Sequence, residues 1–136
     1  MSEFSDYYEN TIINHLLRNQ AFTPPAAVYV ALFTAVTGLE ANNPTAEVLG
    51  GAYARQAVTL SAASGGATSN SADVTFPEAT ASWGTVSHVA IVDNGINTTW
   101  GTNVNVLMWS ALDVSKVVDS GDTFKINIGD LDITVD

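Results

Sequence analysis

The chain breaks into short apolar runs separated by clusters of Gly, Asn, Asp, Ser and Pro, and that punctuation limits the folds open to it. Turn signals recur every 8–12 residues, the spacing of an antiparallel sandwich or barrel-like fold with six or seven short strands. VYVALF (Val28–Phe33) is apolar at both parities, which suits a central strand or one facing a second layer. Further strands are read at 53–60, 74–76, 87–93 and 104–112, with Val117 and Val118 leading into a turn. In the tail, Phe124, Ile126 and Ile128 share one face, as do Leu131, Ile133 and Val135, but the parity changes across Gly129 and Asp130. A one-residue slip turns every side chain over, so Gly129 is read as a bulge or a corner between strands. Segments 38–51 and 61–72 are loops, and 94–103 is a long turn that carries Trp100 to the surface. No internal repeat is present.

One helix is predicted, at about 5–19. Ser5 can cap it, Asp6 and Glu9 fall in the first turn and Arg18 in the last, each where the helix dipole favours its charge. Phe4, Tyr8, Ile12 and Leu16 line one flank, and Ile13 and Leu17 widen that stripe, leaving only Asn10, Asn14 and Arg18 as a polar strip. Such a helix is expected to be covered on more than one side, either by its own sheet or by a neighbouring subunit. Phe4, Tyr7, Tyr8 and Trp100 are the candidate interface residues, because aromatics suit interface anchors. TPP at 23–25 is read as the end of the helix. The expectation is one domain over 1–136: mainly β, an antiparallel β-sandwich or barrel-like domain at about 26–136 with one N-terminal α-helix.

Four Lys and Arg stand against fourteen Asp and Glu, a net charge of −10. So few cations argue against nucleic-acid binding and against anionic membranes, and leave a basic partner surface open. There are no cysteines, which removes disulfides, thiolate nucleophiles and Cys-ligated zinc. MSEFSDYYEN has no apolar segment and is not read as a signal peptide. The longest nearly apolar run, 26–36, is too short to span a bilayer. A soluble protein made in a cytoplasm is expected.

Signals for chemistry are sparse. His15 lies on the helix and His88 in a strand, and no G-x-S-x-G elbow is present. Asp130 and Asp132, two apart, would share a strand face, as paired carboxylates or part of a Ca²⁺ site, or simply as a solvated face; the spacing is not that of an EF-hand loop. Asp119 and Asp122 flank Gly121 in a turn. NTT at Asn97 has the form of a glycosylation sequon. No catalytic residue, metal or cofactor is assigned, and no enzyme is expected. The arginine of YARQAV raises a different question. On a strand, Tyr53, Arg55, Ala57 and Thr59 share one face. Arg55 can stack on Tyr53 and hold a carboxylate with both arms of its guanidinium, or it can be an exposed edge cation that discourages strand addition.

YARQAV, NSADVTFPEATASWGTVSHVAIVD, LMWSAL and VDSGDTFKINIGDLDITVD, in that order, resemble small virion structural proteins of tailed bacteriophages, often labelled tail-fibre-like. FSDYYENTIINHLLRNQAFTPPAAVYVALFTA resembles the N-terminal helix and first strand of the same family, so nearly the whole chain is covered. The turn at 95–105, which holds Trp100, departs from the pattern. The resemblance implies a non-enzymatic virion protein, synthesised in the host bacterial cytoplasm. It implies other virion proteins as partners, either the major capsid protein or tail proteins, and a homo-oligomer, dimer or trimer. A compact acidic β domain with no fibrous repeat points first to a capsid decoration (cement) protein. The alternatives are a tail-fibre or baseplate-associated module, or a receptor- or carbohydrate-binding domain that stacks sugars on Trp100 and Tyr53.

Overall fold

The computed structural model describes residues 3–135. Along the chain run β1 (Glu3–Phe4), α1 (Asp6–Leu17), β2 (Val28–Phe33), β3 (Gln56–Val58), β4 (Ala67–Ser69), β5 (Val74–Thr75), β6 (Gly84–Val92), β7 (Val106–Val118), β8 (Lys125–Ile126) and β9 (Asp132–Thr134). A five-stranded sheet has the order β1-β7-β6-β2-β3, and two ribbons, β4-β9 and β5-β8, stand apart from it. Every strand pair is antiparallel. The fold is therefore mainly β with one N-terminal helix, and the ribbons supply a second layer over one face of the sheet.

The double-sided apolar pattern of β2 has its reason here. Val30 and Leu32 face a core shared with Val86 and Val89 of β6 and closed by Val74, Phe76, Trp83, Val118 and Phe124. Ala31 and Phe33 face a separate core with Ala90, Val92, Val104, Val106 and Leu39. In the first core, Phe76 stacks near-parallel on Tyr53 at 6.1 Å and meets Phe124 edge-on at 5.6 Å. Truncating such a ring costs about 3–5 kcal/mol. The loop over the second core turns at Gly38 (φ +80°), where a Cβ would lie 2.0 Å from the Asn43 carbonyl oxygen, so only glycine fits.

The structure changes several elements read from the sequence, and it places β4 (Ala67–Ser69) within the segment read as a loop at 61–72. The strand read at 53–60 shrinks to β3, because Gly50, Gly51 and Ala52 all have left-handed φ (75°, 57° and 67°) and turn the chain just before Tyr53. The strand at 104–112 and the pair Val117–Val118 are one element, β7, whose pairing with β6 slips between Val86 and His88. The helix stops at Leu17, ahead of TPP. Asn19 takes a left-handed φ of 55°, and the Gln20 amide donates back to the Asn14 carbonyl at 3.0 Å. No helix residue is buried, so the double covering expected of it is not supplied by the described residues.

Gly129 (φ +82°) is a corner: the Asp130 amide closes a turn on the Asn127 carbonyl, and the chain passes from β8, paired with β5, to β9, paired with β4. Asn70, 1% exposed, ties that corner down. Its Nδ2 donates to the carbonyls of Ala72 and Asn127, and its Oδ1 accepts from the Leu131 amide.

Candidate functional surface

Arg55 is 8% exposed, and four of its five N–H groups are bonded. Nε and one terminal nitrogen grip the Glu47 carboxylate at 2.7 and 2.8 Å, the two-armed geometry only a guanidinium provides. The other terminal nitrogen donates to the carbonyls of Asn94 and Asn97 at 2.9 and 2.7 Å. Trp100 lies under the guanidinium, 4.8 Å from carbon to ring centre, and its other neighbour is Phe33 at 6.1 Å. The Tyr53 hydroxyl donates to the same Glu47 carboxylate at 2.9 Å and accepts from the Leu32 amide at 3.0 Å. Burial, reinforced by the Glu47 charge, pushes the Tyr53 hydroxyl far above the usual phenol range. Burial works most strongly against the Arg55 charge, but the bonds and charge of Glu47 together with Tyr53 outweigh it and raise its pKa. Tyr53 and Arg55 thus converge on one carboxylate without stacking on each other. Arg55 stacks on Trp100, which is half-buried and not free at the surface as its turn suggested. The cluster fastens the loop before β3 to the loop before β7. The composition that named Arg55 gave no sign of Glu47 as its partner.

The second feature is α1. Ser5 is fully buried; its hydroxyl caps the Tyr8 amide at 3.4 Å and donates to the Val106 carbonyl. The Ser5 and Asp6 amides bond the carbonyls of Leu107 and Glu40 at 3.1 and 2.9 Å. Phe4 meets Tyr8 edge-on at 5.5 Å, and Phe4, Tyr7 and Tyr8 pack against Ile91, Leu107, Met108 and Ile133. These three aromatics are half-buried against their own sheet, so the free apolar surface lies elsewhere, on Ile13 (51% exposed), Leu16 (70%) and Leu17 (78%). Beside them, the carboxylates of Asp6, Glu9 and Glu40 all lie within 4.8 Å of one another on the surface. Glu40 also accepts a bond from Trp109 Nε1 at 3.0 Å. Partial burial, together with the charges of Asp6, Glu9 and Glu3, raises the Glu40 pKa against the opposing effect of the Trp109 bond. Exposed acidic groups commonly gather in this way without a metal ion, and the geometry assigns none here.

The remaining candidates are scattered. His15 Nδ1 lies 2.9 Å from the Gln20 carbonyl, which closes the helix end. His88 Nδ1 contacts the hydroxyl of its own neighbour Ser87 at 2.8 Å, and burial pushes its pKa down. No carboxylate joins that pair among the described residues. Asp130 sits in the Gly129 turn and Asp132 in β9; both line an open groove of about 820 Å³ between the outer half of β7 and β8, along with Asp113, Asp122, Lys116 and Lys125. Asn97 lies in the loop held by Arg55. Asn42, 8% exposed, was missed by the sequence reading: it bonds the Asn105 side chain and the Val106 amide, fixing the loop at 38–44 over the second core. No helix of the described chain is long and apolar enough to cross a membrane.

A small antiparallel β module, locked by an internal ion pair and carrying its one helix on the outside, is what the fold and these surfaces define. Residues 3–134 match the family model of the podophage GP4 fiber I protein gp80, and the chain belongs to that family of phage fibre proteins. No curated protein matches it.

Proposed function

We propose that the protein is a non-enzymatic structural module of a phage tail fibre, docked to other virion proteins through the surface that carries α1. The observation that carries this reading is the fibre-family match over nearly the whole chain. The match favours a fibre over the capsid-decoration role suggested by composition, and leaves the fold's lack of a fibrous repeat to be explained by a globular module placed along or at the base of a fibre. The way the side chains are used supports it too. The most strongly bonded polar groups, Arg55, Glu47, Asn42 and Asn70, are spent inside the module on holding loops together. Sugar recognition by stacking is disfavoured, because one face of Trp100 is taken by Arg55 and Tyr53 is stacked on Phe76.

Gold-labelled antibody against this protein, applied to purified particles of the phage that encodes it, is expected to mark the tail. Labelling spread over the shell would restore the decoration reading, and its absence from particles would remove the structural one.

A further inference from the structure

We infer that the outward face of α1 is a docking face for a different virion protein, one that presents an apolar socket beside a group of Lys or Arg side chains. The inference rests on the reading of the chain as a virion component. At 100° per residue, Asp6, Glu9, Asn10, Ile13, Leu16 and Leu17 fall within an arc of about 120°, and all but Asn10 carry either a negative charge or exposed apolar surface. The face is divided lengthwise. Its first half holds Asp6 and Glu9, joined by Glu40 from the loop beneath, with no cation paired to them among the described residues. Its second half holds Ile13, Leu16 and Leu17.

A second copy of this chain does not suit that face. Parallel pairing sets acids against acids, and fully overlapped antiparallel pairing sets acids against leucines. An offset pairing that overlaps only the apolar halves joins about three side chains from each copy, where a stable interface uses some 20–30 residues a side. A partner with cations and an apolar socket complements both halves at once, and in a multi-copy particle each contact can be small because many act together. A dimer or trimer of this chain would then have to form through another face. The anchoring fits the same role: Ser5 fixes the first turn to β7, while Ile13, Leu16 and Leu17 in the last two turns stay exposed.

The test supplies variants of the full chain in trans to phage lacking the gene and measures the amount carried by purified particles. Asp6→Lys with Glu9→Lys, and separately Leu16→Ser with Leu17→Ser, are each expected to lower incorporation at least about tenfold, the first pair by setting like charges together and the second by removing the apolar contact. Asp6→Asn with Glu9→Gln, which spares the helix N-terminus a reversed charge, should give an intermediate loss. Glu78→Lys, exposed and away from the helix, serves as the control and should incorporate normally. Circular dichroism and sedimentation of each purified variant check the fold and the mass in solution. Normal incorporation of the folded helix variants overturns the inference while leaving the fibre reading intact. A fall in solution mass that accompanies lost incorporation overturns it in favour of a second copy. Wild-type protein missing from particles overturns both.

Discussion

Charge is handled in opposite ways at the Arg55 cluster and at the start of α1. Around Arg55, a buried cation grips a half-buried carboxylate, and two backbone carbonyls, a tyrosine hydroxyl and an indole ring complete the shell. At the helix, three carboxylates crowd at the surface with no cation paired to them among the described residues, next to three exposed apolar side chains. A buried charge is tolerated only when its bonds are made within the chain, so the first region is self-sufficient and stabilises the loops it joins. Exposed like charges are tolerated because water screens them, so the second region costs the isolated fold little and is free to serve a contact outside it.

The contrast breaks most sharply at Arg55. Arg55→Ala leaves the half-buried Glu47 without its cation and is expected to cost about 3 kcal/mol in urea unfolding, the lower end for a buried pair. An unchanged midpoint would mean that the pair is solvated. Arg55→Lys keeps the charge but loses the fork and the broad stack on Trp100, and should cost less, about 2 kcal/mol. Tyr53→Phe removes the hydroxyl shared by Glu47 and the Leu32 amide and is expected to cost about 1–2 kcal/mol. At the helix, Ser5→Ala should cost at least about 1 kcal/mol, because it removes both the cap and the bond to the Val106 carbonyl.

The outer helix face gives the smallest effects. Leu16→Ser and Leu17→Ser should each shift stability by no more than about 0.5 kcal/mol, and a larger loss would show that the face is packed internally. Glu40→Gln should be neutral or slightly stabilising at pH 7. The folded-state pKa of Glu40 is raised, so its charged form is disfavoured in the fold above that pKa. The penalty fades as the pH falls through the raised value and is gone below the ordinary carboxylate range. The advantage of the Gln variant should therefore shrink on acidification. An advantage that grows instead would reverse the assigned sign.

Much of this was legible where the physics is local. The capping of α1 by Ser5 depends on residues within one turn, and the corner at Gly129 is a parity change visible over a few positions. The central place of β2 follows from apolar side chains at both parities, since only a strand covered on both faces can use them. The exposure of Leu16 and Leu17 was not legible. An apolar stripe records what a helix can bury, and whether a sheet comes near enough to cover it depends on how the whole chain packs.

The sequence by itself determined the β class, the single capped helix and the corner at Gly129, because each follows from a pattern among near neighbours along the chain. Only the tertiary structure decided what those pieces touch. It brought Glu47 and Trp100 to Arg55 from loops on either side, made Asn42 and Asn70 the buried tethers of their loops, and turned Phe4, Tyr7 and Tyr8 inward while Ile13, Leu16 and Leu17 stayed out. The reason is that a buried polar group needs several partners arriving from different directions at once, and no periodicity along one segment specifies where the others will be.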